Sequence, residues 1–178
     1  ILNFINNNLP PKPFKNHFSS FNLTVKSFAD YIEEKEWNMI SKEITPSRML
    51  CDLFWIKLNW RRIKSEIGLI NIFDTGCGNG NYASKLNQYA FGINSYTGID
   101  SSYYENWENL KNISYINLIN YSSVDFINII PKGTNVFITQ SAIEHFDFDI
   151  DYFKQIRNFI KSSNNNIIQI HLFPSPPS

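Results

Sequence analysis

The stretch from Ile70 to Tyr82, Ile-Asn-Ile-Phe-Asp-Thr-Gly-Cys-Gly-Asn-Gly-Asn-Tyr, constrains the rest of the chain more than any other. Its first half is apolar, with β-branched and aromatic residues, and reads as a short buried strand. It then breaks into three glycines at alternate positions, Gly76, Gly78 and Gly80. The segment from Asn81 to Ala90 is predicted as a helix. A strand, a glycine turn and a helix in succession bring bare backbone up to a ligand. Glycine adopts positive φ readily and has no Cβ to obstruct the approach. The helix start adds unpaired N–H groups and a partial positive charge.

Two details narrow the ligand. A dinucleotide fingerprint, G-x-G-x-x-G, needs a third glycine where this chain has Asn81. The residue two places before the first glycine is acidic, Asp74. A carboxylate at a strand tip repels a pyrophosphate and attracts an ammonium. A second predicted strand, from Ser95, ends in another carboxylate, Asp100, 20 positions after Gly80. There it can accept both hydroxyls of a ribose. Further strands are predicted over Ile113 to Ile119, from Val136 into the Gln140-Ser141 end, and over Ile167 to His171. Short helices are predicted at Tyr103 to Leu110, Val124 to Ile130 and about Tyr152 to Ile160. Strands alternating with helices imply an α/β architecture, a doubly wound and mostly parallel sheet.

The pattern Asp-x-Gly-x-Gly-x-Gly over 74–80 resembles motif I of the class I S-adenosylmethionine-dependent methyltransferases. The Asp100 strand, the Val136 to Phe146 segment with its Glu144-His145 turn, and the Ile167 to His171 strand fit the same family in the same order. The resemblance implies a Rossmann-like methyltransferase fold, with five strands visible, and S-adenosyl-L-methionine as cofactor. It also implies roles. Asp74 and the backbone of Gly76, Cys77, Gly78 and Gly80 would line the methionine side. Asp100 would bind the ribose and Ser101 flank the adenine. Gln140 and Ser141 would lie beside the methionine part or the acceptor. Many family members have Asp at or near the end of the third strand, binding the adenine amino group. Asn120 stands there in this chain, with Ser122, Ser123 and Asp125 as alternatives. His145 and His171, just past strand ends, are the candidate general bases, each weighed against a purely structural role.

Methyl transfer from a sulfonium is an in-line displacement that needs alignment and exclusion of water, and in principle no metal. Nucleic-acid amino-methyltransferases carry a Pro-Pro-aromatic signature after the fourth strand; this chain has Gln140-Ser141-Ala142-Ile143. Ser175-Pro176-Pro177-Ser178 follows the fifth strand and lacks the aromatic. The resemblance implies methyl transfer, and the acceptor is expected to be a small molecule or glycan-like metabolite, with no residue pattern pointing to a particular one. Two other classes stand beside it: a non-catalytic nucleotide-binding or regulatory module, and an NAD-dependent oxidoreductase, which Asn81 disfavours.

Charge argues against a broad polyanionic partner. Lys and Arg number 16, as do Asp and Glu, so the net charge is zero and gives no broad footprint for nucleic acid or anionic lipid. Neither a nucleic-acid nor a membrane partner is expected. Cys51 and Cys77 lack metal-ligand spacing and read as two reduced thiols of a cytoplasmic protein. Three regions are expected. Residues 1–22 form an irregular Asn- and Pro-rich arm. Residues 23–68 form a helical cap, with one helix over Leu23 to Ile44 and another from Thr45-Pro46 to about Ile67, stopped by Gly68. Residues 69–178 form the cofactor-binding core. The family fold has seven strands, so the core is expected to be truncated at its C-terminus. Its fifth strand would be an edge that a second copy or a further segment covers.

Overall fold

The computed structural model describes residues 32–40, 45–122 and 124–173. The expected arm, the outer parts of the Leu23 to Ile44 helix, Ser123 and the Ser175 to Ser178 segment lie outside these residues. The chain divides into two compact units, Ile1–Trp37 and Asn38–Ser178. In the first, the described residues contain one helical turn, α1 (Glu34–Trp37), where a helix through Leu23 to Ile44 was expected. The Glu36 carboxylate caps it by accepting from the Glu33 N–H at 2.9 Å.

The second unit opens with two helices where one was expected. In α2 (Pro46–Lys57), Thr45 is the N-cap and Pro46 takes the first turn, where its missing N–H costs nothing. Leu58 then turns extended, with ψ 135°. The Asn59 side chain accepts from the Arg62 N–H at 3.0 Å and starts α3 (Trp60–Ile67). A short amide side chain competes for backbone hydrogen bonds, so it restarts a helix more readily than it continues one. Gly68, at φ 74°, ends α3.

The core follows as β1 (Asn71–Thr75), α4 (Asn81–Tyr89), β2 (Ser95–Asp100), α5 (Trp107–Leu110), β3 (Ile116–Asn120), β4 (Val136–Gln140), α6 (Asp149–Ser162) and β5 (Ile168–Leu172). The segment expected to be helical over Val124 to Ile130 is a single 3-10 turn at Ile127–Ile129. All strand pairs are parallel, in the order β3-β2-β1-β4-β5. Alternate strand residues face opposite sides. Ile72, Tyr96, Val136 and Ile138 pack with Trp55, Trp60, Ala83 and Leu86 from α2, α3 and α4. Phe73, Ile99 and Phe137 pack with Phe126, Tyr152, Ile156 and Phe159 on the other face. Two apolar layers on one parallel sheet make this a doubly wound, Rossmann-like α/β fold. Strand order reverses between β1 and β4, and such a switch point leaves a crevice at the carboxyl ends of the strands. Among the described residues β5 is an edge strand, paired only with β4. No helix among them is long and apolar enough to cross a membrane.

Candidate functional site

A cleft of about 810 Å3 opens at the tips of β1, β2 and β4. It brings together Asp74, Gly76, Cys77, Gly78, Asp100, Ser101, Gln140, Ser141 and His145. Gly80, Asn120 and His171 are not among its lining residues.

The three glycines have positive φ, at 78°, 54° and 78° in order, and each does a different job. A Cβ on Gly76 would sit 2.4 Å from the Ala142 Cβ, so here the loop presses against the segment after β4. A Cβ on Gly80 would meet Leu110 and Leu118 at 2.9 and 3.0 Å, under α5 and β3. Gly78 has nothing within 4 Å and borders the cleft itself.

The loop's N–H groups are mostly occupied. Those of Gly76 and Cys77 both donate to the Ile99 carbonyl, at 2.8 and 3.1 Å, and that of Gly80 donates to Cys77 at 3.1 Å. The Gly78 N–H donates to Asp100 Oδ2 at 2.9 Å. From the other side, the Trp107 indole donates to the Gly78 carbonyl at 2.9 Å and Asn106 Nδ2 to the Asn79 carbonyl at 2.9 Å. A phosphate cradle needs backbone donors turned outward. This loop turns these four inward, which agrees with the absence of the third fingerprint glycine.

Asp74 is 3% exposed. Its Oδ2 accepts from the Tyr96 hydroxyl. Its Oδ1 is buried with no partner among the described residues. Burial, foremost, pushes its pKa up to about 7; the Tyr96 hydroxyl opposes this and the Asp100 charge adds to it. A buried carboxylate oxygen without a donor is a costly thing to leave in a fold, and it marks where a ligand donor fits.

The same burial gives a pH dependence. Asp74 ionises near pH 7 in the folded protein and near about 4 in the unfolded chain. Between these values the folded state holds a proton that the unfolded state has lost. The contribution of Asp74 is therefore complete below about pH 4, declines as pH rises through 7, and is flat above. Urea midpoints from pH 4 to 8 should fall more steeply in the native protein than in Asp74→Asn. Parallel profiles would refute the assignment.

Asp100 holds its place through two backbone donors, Gly78 to Oδ2 and Ser102 to Oδ1, both at 2.9 Å. The remaining lone pairs of both oxygens are available to hydroxyl donors. The Asn120 side chain does not enter the cleft; its Nδ2 donates to the Asp100 carbonyl at 3.1 Å. Tyr121, Ser122 and Val124 line the cleft in its stead. Ser141 leaves β4 at φ 51°, a conformation few non-glycine residues adopt, and its N–H donates to the Leu172 carbonyl at 2.7 Å.

The two histidines part company. His145 lines the cleft, with its side chain 72% exposed and Nε2 4.0 Å from Glu144 Oε1. His171 lies one strand further out, its Nδ1 3.0 Å from Thr139 Oγ1 and its ring edge-on to Tyr152 and Phe153. Burial lowers its pKa. Its surroundings are those of a packed structural imidazole.

Four residues absent from the sequence expectations complete the cleft or its backing. Arg48, Tyr82 and Lys85 line it. Asp52, fully buried on α2, accepts from Tyr82 at 2.6 Å and Lys85 at 2.8 Å. The available signal was Asp52 itself, a lone acid inside the apolar run Met49 to Ile56: a buried charge needs a partner.

No family model and no curated protein matches the chain. Solved structures do. One is an S-adenosylmethionine-dependent methyltransferase from Archaeoglobus fulgidus, 18% identical, covering 66% of this chain and 50% of that one, with a TM-score of 0.42. Another, from Aquifex aeolicus, is 15% identical, covering 70% and 65%, with a TM-score of 0.42. The plantazolicin methyltransferase BpumL is 18% identical, covering 72% and 54%, with a TM-score of 0.44. The chain spans about half the length of the solved structures it matches.

Proposed function

We propose that this chain is an S-adenosylmethionine-dependent methyltransferase acting on a small-molecule or glycan-like acceptor. The observation that carries the reading is Asp74 Oδ1, buried and without a partner among the described residues, beside a glycine loop whose inward-turned donors do not suit a pyrophosphate. The residues present fit the cofactor. Asp74 would receive its ammonium, Gly78 would admit it without a side-chain clash, and Asp100 would hold its ribose hydroxyls. When bound, the cofactor supplies a methyl group on a sulfonium. Tyr82, Tyr104, Tyr121, Phe146 and Phe148 give the cleft aromatic walls, suited to excluding water and to a modest acceptor. His145, on the rim, is the candidate for accepting a proton from the acceptor.

Calorimetric titration with S-adenosylhomocysteine and with NAD tests the donor. Binding of the first and not the second is expected; the reverse overturns the reading. In the same assay Asp100→Ala should lose roughly 1–3 kcal/mol of S-adenosylhomocysteine affinity, the scale for hydrogen bonds to a charged group. An unchanged Kd would remove Asp100 from the site.

One observation favours a second reading, a binding module without turnover. His171 is off the cleft, and among the described residues His145 has no orienting partner nearer than Glu144 Oε1 at 4.0 Å. Transfer of labelled methyl to components of a metabolite extract separates the two readings. Tight S-adenosylhomocysteine binding with no transfer would favour the module.

A further inference from the structure

One wall of the cleft gathers hydrogen-bond donors, of which only the Lys85 ammonium is ion-paired with an acid among the described residues. It is built by α2 and α4. Arg48, Asp52 and Trp55 follow one another on α2 at intervals of four and three, so they share one helical face. Asp52 uses both carboxylate oxygens within the wall, Oδ1 on the Tyr82 hydroxyl and Oδ2 on the Lys85 ammonium. Trp55 fixes Gln140 in the same way, its indole N–H donating to Oε1 at 2.6 Å. An indole N–H only donates, so it must face the amide oxygen, and the NH2 of Gln140 is the end left over. Gln140 is 7% exposed, and its Nε2 completes no hydrogen bond among the described residues, although the amide is near enough to the Tyr82 hydroxyl to oppose the rise that burial causes in that group's pKa. Arg48 lines the cleft one turn before Asp52 and makes no ion pair among the described residues. Lys85 is neutralised by Asp52; Arg48 is not.

We propose that this wall is a carboxylate-recognising subsite, with Arg48, Lys85 and the Gln140 amide as its donors. Asp52 touches no ligand and is a positioning residue that holds Lys85 and Tyr82 against the cleft. The charge count selects a carboxylate over a phosphate. Arg48 is the one cleft-lining guanidinium and meets no acid among the described residues; it matches a monoanion, whereas a dianion would carry a surplus charge into a cleft that Asp74, Asp100 and Asp147 already line. The carboxylate comes either from the amino-acid end of the donor or from an acidic acceptor. The first of these sources rests on the methyltransferase reading; the wall itself does not.

Calorimetry on Arg48→Gln and Lys85→Gln separates the sources. S-adenosylhomocysteine carries the amino-acid carboxylate, and 5′-methylthioadenosine is the same adenosyl thioether without it. If the donor supplies the carboxylate, each variant loses roughly 10- to 100-fold in S-adenosylhomocysteine affinity and stays within about twofold for methylthioadenosine. If the acceptor supplies it, both nucleosides bind unchanged, and benzoate binds the S-adenosylhomocysteine-loaded native protein at least about tenfold more tightly than either variant. Equal losses of both nucleosides, or no change with any of the three ligands, overturns the proposal. If neither nucleoside binds the native protein, the donor reading fails by itself. Benzoate binding to native and Arg48→Gln protein then decides the wall alone.

Asp52 is tested by non-additivity. Asp52→Asn should weaken the carboxylate ligand less in a Lys85→Gln background than in the native one. Equal effects in both backgrounds overturn the positioning role, with unfolding midpoints recorded alongside to separate it from loss of fold.

Discussion

Gly76→Ala is expected to destabilise the protein by about 2–4 kcal/mol, whereas Gly78→Ala, two positions away in the same loop, costs about 1–2 kcal/mol. Both glycines have positive φ, so both substitutions strain the backbone. Only at Gly76 does the added methyl meet another atom it cannot pass, the Ala142 Cβ at 2.4 Å. That neighbour is close to the backbone and has no rotamer to escape into. At Gly78 the methyl points into open space bordering the cleft. The two variants should therefore divide their effects. Gly76→Ala loses fold, read from urea unfolding; Gly78→Ala keeps most of its fold and loses S-adenosylhomocysteine affinity. Equal unfolding free energies for the two would mean that the segment after β4 yields freely, and the loop would not be braced there.

Trp55→Ala is expected to cost about 3–5 kcal/mol, at the upper end of single core truncations. The indole is fully buried, stacks on Trp60 with centroids 6.1 Å apart and lies edge-on to Phe54. The Trp55 backbone carbonyl accepts from the Trp60 indole at 2.8 Å, a bond that the substitution leaves in place. Removing the ring opens a cavity and leaves Gln140 with neither end hydrogen-bonded. Trp55→Phe preserves much of the volume and should cost about 1–3 kcal/mol, the scale for orphaning a buried polar group. A Trp55→Phe loss as large as that of Trp55→Ala would assign the stability to the hydrogen bond rather than to packing.

Much of the fold was legible because it is local. β1, its glycine turn and α4 stand within 20 residues, and each has a signal of its own: an apolar run, alternate glycines, a helix-compatible tail. The ends of β2 and β4 were legible for the same reason, since Asp100 and Gln140 terminate apolar runs. The break between α2 and α3 was not. Leu58 and Trp60 carry the apolar pattern straight across it, and one Asn gains its meaning only once it caps the next helix. The tyrosine-rich segment after Asp100 was over-read as helix: Tyr103 stacks edge-on with Trp107 and only the last turn winds.

In the site, the acids and the glycines were found by position along the chain, and the wall facing them was not. Asp52 and Lys85 are 33 residues apart, and Trp55 and Gln140 are 85 apart. No periodicity joins such pairs; only the sheet order does. His171 is the converse case. It was expected just past a strand end, as a base would be, but it lies within β5, an edge strand among the described residues, and β4 separates it from the glycine loop. The sequence supplies strand ends, while their distance from the switch point depends on an order it does not state.

The glycine loop hangs from β2 by the amides of Gly76, Cys77 and Gly78, so it has no shape of its own apart from the central strands. The conformational freedom it would otherwise surrender on association has already been surrendered during folding. A molecule seated there thus meets a rigid receptor, and its affinity is not diluted by ordering. The linkage also runs backwards. Occupancy draws on the cohesion of the sheet itself, so saturation should raise the global melting temperature by mass action rather than stiffen one surface segment.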